Sequence, residues 1–273
     1  MDAAQALSPR PVARGERRVP RYNLRGTWTL AERECRRFLN VWTQTLAAPL
    51  VTAALFLLIF NIAIGPTRGD VMGVPFLHFL APGILTMTVI QNAFANTSSS
   101  IIVSKVQGNI VDTLMPPLSP AELTAGFLAG GVARGILVAV ALAALMLAMG
   151  QGIAHPVWAL VFVAMGSAFL GALGILAAIW ATKFDQMAAV TNFIVVPLAF
   201  LSGTFYSVEA LPPVMAALTR ANPIFYLIDG VRWACLGRSD GSPVLGLIVL
   251  TACTCVAAWL CWLAFRRGWR LKP

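Results

Sequence analysis

The chain alternates long apolar runs with short polar interruptions, and the length of each run predicts what it forms. Residues 46–64, 76–102, 123–149, 157–181, 188–206 and 244–265 are apolar throughout or nearly so. At about 1.5 Å per helical residue, runs of roughly 20 residues match the ~30 Å hydrocarbon layer of a bilayer. Backbone inside that layer must satisfy its own hydrogen bonds, so each run predicts a helix. The expectation is an all-α polytopic protein with six transmembrane helices in a single membrane domain, residues 21–270.

The interruptions sort by composition. Residues 65–75 form a short loop with Arg68 and Asp70, 151–156 an uncharged turn, and Lys183, Asp185 and Gln186 a polar loop. Residues 207–243 are too polar and too rich in proline to cross. They hold one short helix at 211–218 and a second at 224–237, started by Asn222-Pro223. Phe225, Tyr226 and Trp233 suit the headgroup layer, so both short helices are expected at the outer interface, half dipping. Residues 21–42 mix Leu24, Trp28, Phe38, Leu39 and Trp42 with Arg25, Arg33, Arg36 and Arg37, the pattern of an amphipathic helix in the headgroup plane. Residues 1–20, rich in Arg, Pro and Ala, read as a disordered basic tail.

One interruption is more specific. Between the second and third spans, residues 105–122 carry a lysine, two acids, three prolines after Leu114 and a glycine, so the stretch belongs in water or against a partner. Val106, Ile110 and Leu114 recur at helical spacing with Gln107 and Asp112 off that face, predicting a short surface helix between Gly108 and Pro116-Pro117. Ser119, Pro120 and Glu122 then predict a capping box that starts the third span.

The spans also carry polar groups. Thr88, Gln91, Asn92, Asn96 and Ser99 form one stripe on the second span, which serves either as glue between helices or as the lining of a path. The third span holds Gly126, Gly130, Gly131 and Gly135, spaced for close helix approach, and Arg134, expected to face protein with a partner. Phe94, Phe193, Phe200 and Met87 would suit an amphipathic drug, the stripe a sugar or glycolipid.

Composition agrees with the pattern: 58% of residues are hydrophobic and 11% charged, with mean hydropathy +0.77, against about a quarter charged in soluble domains. The net charge of +9 is explained by flanks held against anionic lipid and points to no nucleic-acid partner. Of the 20 Lys and Arg, four (Arg68, Arg220, Arg232 and Arg238) fall on one side of a six-span topology and Arg134 inside it. The other 15 fall with the termini and residues 105–122, which makes that side cytoplasmic. Cys35, Cys235, Cys253, Cys255 and Cys261 form no C-x-x-C pair, and His78 and His155 lie far apart, so neither a disulfide framework nor a metal site is expected. No catalytic triad is legible. A membrane-embedded lipid- or isoprenoid-modifying enzyme would need clustered acids, whereas Asp112, Glu122, Asp185 and Glu209 are scattered. A non-transporting membrane scaffold is the other alternative.

Taken in span order, residues 22–270 resemble the type-2 ABC exporter permeases, the membrane subunits of bacterial drug, lipooligosaccharide and polysaccharide exporters. The segment from Gly108 to Glu122 resembles the family's cytoplasmic segment at Gly108, Leu114, Pro117, Leu118, Ser119 and Glu122, and departs from it at Asn109 and Val111. Leu211-Pro212-Pro213, Asn222-Pro223 and Asp229-x-x-Arg232 are similar to the pattern before the family's last span, as are residues 200–206 ahead of it. The resemblance implies export through a groove between two copies in the bacterial inner membrane, driven by two copies of a separate ATPase subunit that binds ATP and Mg, with no cofactor on this chain. In keeping with that, the chain has no G-x-x-x-x-G-K-[ST] loop. It also implies that Val106, Gly108, Ile110, Asp112, Leu114, Pro117 and Glu122 couple to the ATPase. Thr88, Gln91, Asn92, Asn96, Ser99 and Arg134 become candidates for the path, and Asn222, Pro223, Asp229 and Arg232 for the outer interface.

Overall fold

The computed structural model describes residues 22–65 and 69–271, so the expected basic tail of residues 1–20 lies outside the described residues. The described chain is almost entirely helical; a two-residue antiparallel pair, β1 (Asp70–Val71) and β2 (Val74–Pro75), is its only ladder. The helices are α1 (Leu24–Leu39), α2 (Thr43–Ala63), α3 (Phe76–Val106), α4 (Ile110–Leu114), α5 (Pro120–Ala148), α6 (Pro156–Trp180), α7 (Phe184–Phe200), α8 (Pro213–Ala221), α9 (Pro223–Leu236) and α10 (Pro243–Arg267).

Five of these, α2, α3, α5, α6 and α10, are long and apolar enough to cross a membrane. The sixth expected span is the shorter helix α7, of about 17 residues and roughly 25 Å. It ends at Phe200, six residues before the expected boundary, because residues 201–206 turn and Gly203 takes φ +75°. Both α2 and α7 contain a π-helical turn, Thr43–Ala47 and Thr191–Val195.

The centre of the molecule is α3, which packs against α6 and α5 most extensively and also against α9 and α2. Phe79, Leu80, Ile90, Ala93 and Ile101 are buried there. On α2 only Thr45, Ala53 and Leu57 are buried, and Val51, Leu58, Ile59 and Ile62 point outward. In hydrocarbon such a face costs nothing, since lipid tails are as apolar as leucine.

Polar contacts gather at two opposite ends. At one, the Lys105 ammonium donates to the carbonyls of Ala178 (3.1 Å) and Ile179 (2.7 Å) at the last turn of α6, and Arg270 Nη1 donates to Trp180 O (2.9 Å). Two cations thereby satisfy the orphan carbonyls and the negative dipole end of that helix. At the other end, the backbone N–H groups of Ala154 and His155 donate to Cys235 O and Ala234 O, and Asn222 Nδ2 donates to Leu198 O (2.8 Å). Thus α7 runs from the end that holds Ala181 to the end that holds Asn222.

The helix α1 is amphipathic, as expected, and is docked on the bundle: it turns Leu30, Glu34 and Phe38 inward and runs along the first turns of α5, Leu30 against Gly126 and Glu34 against Gly130. A Cβ on Gly126 would come within 2.6 Å of Leu30 Cδ2, so the approach requires glycine. Tyr22, Leu24, Trp28, Leu39 and Trp42 remain exposed on the outer side. One expectation needs correction: Phe225 of α9 does not face a headgroup layer. The helix α9 is packed among α3, α6 and α10, with Phe225, Leu227, Ile228 and Val231 buried, and of these two short helices only α8 keeps an exposed apolar face, of Val214, Met215 and Leu218. Trp233 of α9 stacks on His155 with ring centroids 4.9 Å apart.

Candidate functional site

The stretch between α3 and α5 is built by two local devices. Gly108 takes φ +74°, a left-handed conformation that ends α3, and α4 then runs for only five residues. At the start of α5 the capping box forms as its sequence implies: Glu122 N–H donates to Ser119 Oγ (3.3 Å) and Ser119 N–H to Glu122 Oε2 (2.6 Å). Glu122 does more than cap, since its other oxygen accepts from the backbone N–H of Asn23, and Asn23 Nδ2 donates to Pro117 O (3.3 Å). Arg33 Nη1 donates to Thr113 Oγ1 (3.2 Å). The start of α1, the helix α4 and the start of α5 are therefore one clamped unit.

This geometry corrects the expected apolar face. Val106 belongs to the last turn of α3, and Ile110 is turned into the core at 7% exposure, with Leu114 packed behind it. The apolar groups that look outward are Val106, Val111 and Met115, the last at 75% exposure, with Asp112 also exposed. Helical spacing found an apolar face correctly but could not say that the face was needed inside. A groove of about 520 Å³ adjoins this surface, lined by Lys105, Gly108, Ile110, Val111, Thr182, Gln186, Arg270 and Leu271.

A second assembly, one not legible in the sequence, lies deeper between α1, α3 and α5. Glu34 is fully buried and accepts from Ser100 Oγ (2.8 Å), Arg33 (3.1 Å) and Arg37 (3.1 Å). Arg37 also donates to Ser99 Oγ (3.0 Å) and to Asn96 at both its backbone O (2.6 Å) and Oδ1 (3.1 Å). One turn further along α5, Arg134 Nη2 donates to Asn92 Oδ1 (2.9 Å), and Asn92 Nδ2 donates back to Thr88 O (3.0 Å). Arg134 thus has the protein partner expected of it. The expected stripe divides in two: Asn96 and Ser99 hold Arg37 of α1, whereas Thr88, Gln91 and Asn92 stay half-exposed. Phe94 is buried, which removes it from any path; Phe193 and Phe200 are exposed. The available signal for Glu34 was an acid flanked by Arg33 and Arg37 and spaced four residues after Leu30, as Gly130 is four after Gly126. On the same helix, burial first and then Glu34 and Glu32 hold the Cys35 thiol above its ordinary range, so it is a slow nucleophile.

The third set is structural. Asn222 caps α9, accepting from Ile224 N–H (3.1 Å), and its amide reaches Leu198 O and Ser202 Oγ (both 2.8 Å), with Pro223 at the first helical position. Asp229 accepts from the backbone N–H groups of Asp240 (2.7 Å) and Gly241 (3.0 Å). Arg232 is fully buried, with its guanidinium 3.9 Å from the Phe79 ring centroid, Nη2 on Gly203 O (2.7 Å) and Asp240 at 3.7 Å. These residues fold the 201–242 segment onto the bundle. Among the described residues no group of three or more His, Cys, Asp and Glu is gathered to hold a metal.

Five long apolar helices, a clamped polar loop and a partly open polar face in a chain with this span order find matching proteins. A family model described as ABC-2 type transporter matches residues 25–236. The inner membrane transport permease YadH of Escherichia coli strain K12 is 36% identical over 253 residues, 91% of this chain and 96% of its own. Nodulation protein J of Sinorhizobium fredii is 26% identical over 223 residues, covering 79% and 84% respectively. The chain belongs to the ABC-2 type transporter membrane family.

Proposed function

We propose that the chain is the membrane-spanning permease subunit of an ATP-driven exporter, working as a dimer with two copies of a separate ATPase and moving an amphipathic or glycan-bearing substrate outward between the two permeases. Membership of the family supports the permease role and the pairing with an ATPase. In this reading the end carrying α1, α4 and Arg270 is cytoplasmic, six helices cross, and the open face of α3 with Thr88, Gln91, Asn92 and Arg134 borders the path. ATP and Mg stay with the partner.

The observation that carries the coupling role is the clamp on α4. Its outer side offers Val111 and Met115, apolar and exposed, while its inner side is tied to α1 through Thr113 and to the core beside α3 through Ile110, and the start of α1 is tied in turn to α5 through Glu122. A push on α4 therefore reaches α1 and α3 directly and α5 through α1. A desolvated apolar anchor is worth ~2 kcal/mol or more in an interface, and rim charges less. The test is co-purification with a tagged candidate ATPase subunit co-expressed with the permease. Val111→Asp combined with Met115→Asp is expected to leave the permease inserted and monodisperse but to lose most of the ATPase, and Asp112→Asn to weaken pairing only slightly. Full retention of an active complex by the double variant would remove α4 from the coupling role.

A further inference from the structure

Between α1 and the last turns of α3 lies a cleft of about 570 Å³ lined by Thr29, Glu32, Arg33, Glu34, Arg36, Arg37, Asn40, Ser100 and Ser104. Its charge is unbalanced. Glu34 is shared by Arg33 and Arg37, and Glu32 is engaged by Arg36, so three guanidiniums face two carboxylates that are already bonded. Arg37 is common to this cleft and to the α3 stripe, where it holds Asn96 and Ser99 one turn below Asn92 and Arg134. There the positive excess grows, because among the described residues no carboxylate pairs with Arg134, and its Nε, like Asn96 Nδ2, is buried without a hydrogen-bond partner.

The level of these groups matters as much as their charge. The helix α5 has 29 residues and α3 has 31, about 43 and 46 Å, so each outruns a ~30 Å hydrocarbon layer by a few turns. The start of α1 sits at the α4 end of that excess, where Asn23 bonds Glu122 and Arg33 bonds Thr113. In the proposed orientation Arg33 and the exposed Arg36 therefore stand near the headgroup boundary and Arg37 about a turn deeper, with exposed Leu39, Trp42 and the apolar face of α2 following along the chain. Donors in excess of acceptors at a water-poor boundary stabilise an oxyanion, and planar guanidiniums bind such anions with two parallel bonds.

We propose that this cleft is the loading site for the phosphate-type head of an anionic amphiphile, held by Arg33, Arg36 and Arg37, while its tail stays beside α2. The Asn92–Arg134 pair is the next station for the head, reached past Arg37. This rests on the permease reading and narrows its substrate to an anionic class.

The test uses the purified permease without ATPase, in nanodiscs of zwitterionic lipid, with Asn40→Cys on a background free of other cysteines. Asn40 is exposed and lines the cleft. Dodecyl phosphate is expected to protect the cysteine from a maleimide saturably, and dodecyl maltoside and dodecyltrimethylammonium are expected not to. A charge-assisted hydrogen bond is worth about 1.5–3 kcal/mol, so Arg37→Gln is expected to weaken protection about ten-fold or more. The same is expected of Arg36→Gln, whose parent side chain is 75% exposed, while Arg36→Lys keeps most of the protection. Equal protection by all three amphiphiles, or none lost in the glutamine variants, overturns the site. Protection by inorganic pyrophosphate as strong as that by dodecyl phosphate overturns the amphiphile. Complete protection by phosphatidylglycerol in the nanodisc alone overturns the loading role in favour of an annular lipid. Because no ATPase takes part, failure here is distinct from failure of the ATPase pairing.

Discussion

Ile110 and Val111 are neighbours in a five-residue helix, and the difference between them separates packing from partnership. Ile110 is buried in this chain, so Ile110→Asp would place a charge in the core and is expected to lower folded yield severely, read by size-exclusion chromatography in detergent. Val111→Asp alters an exposed side chain and is expected to leave that profile unchanged. Lys105 belongs to the same scale. Its ammonium satisfies carbonyls of Ala178 and Ile179 at the end of α6, and hydrogen bonds to charged groups contribute about 1.5–3 kcal/mol. Lys105→Met is expected to lower the thermal midpoint of the purified permease by several degrees, with Lys105→Arg losing less. An unchanged midpoint for the methionine variant would assign Lys105 to solvent.

At the scale of elements, the docking of α1 on α5 depends on glycine. Glu34 Cβ lies against Gly130, closer than any side chain there would allow. Overpacking typically costs about 1–3 kcal/mol, and here it would also separate Glu34 from Ser100 and Arg37 from Asn96. Gly130→Leu is therefore expected to release α1, seen as rapid proteolysis near residues 22–40 with α3, α5 and α6 still protected. Gly126→Leu is expected to act alike through Leu30. Resistance equal to wild type in both would mean that α1 is held by something other than this seam. Glu122→Gln loses the charge in bonds from Ser119 and Asn23 and is expected to loosen only the first turn of α1.

For the whole molecule the relevant fact is that polar contacts fall at two ends and that consecutive helices alternate between them. Single cysteines at Lys183 and Glu209, in a background without other cysteines, are expected to react with an impermeant maleimide from the inside and the outside respectively. Labelling of both from the same side of sealed cells would contradict six crossings and would place α7 as a helix that enters and returns. The opposite orientation would show as reactivity exchanged between the two sites, against the arginine distribution.

Element type and position were legible in the sequence because apolar run length and capping chemistry act locally. Six long runs, the capping box at Ser119–Glu122, the break at Gly108 and the start at Asn222-Pro223 all follow from residues within a turn or two of each other. What only the tertiary structure decided was which face of each short element turns inward. A membrane protein gives weak periodicity for that purpose, since lipid and core are equally apolar and the polar groups do the sorting. So Val106, Ile110 and Leu114 looked like one outward face, yet Ile110 is core. Phe225 looked like a belt residue, yet α9 is wrapped by α3, α6 and α10. Glu34 escaped notice because its partners, Ser100 on α3 and Gly130 on α5, lie far along the chain, and a buried carboxylate becomes tolerable only when distant donors converge on it.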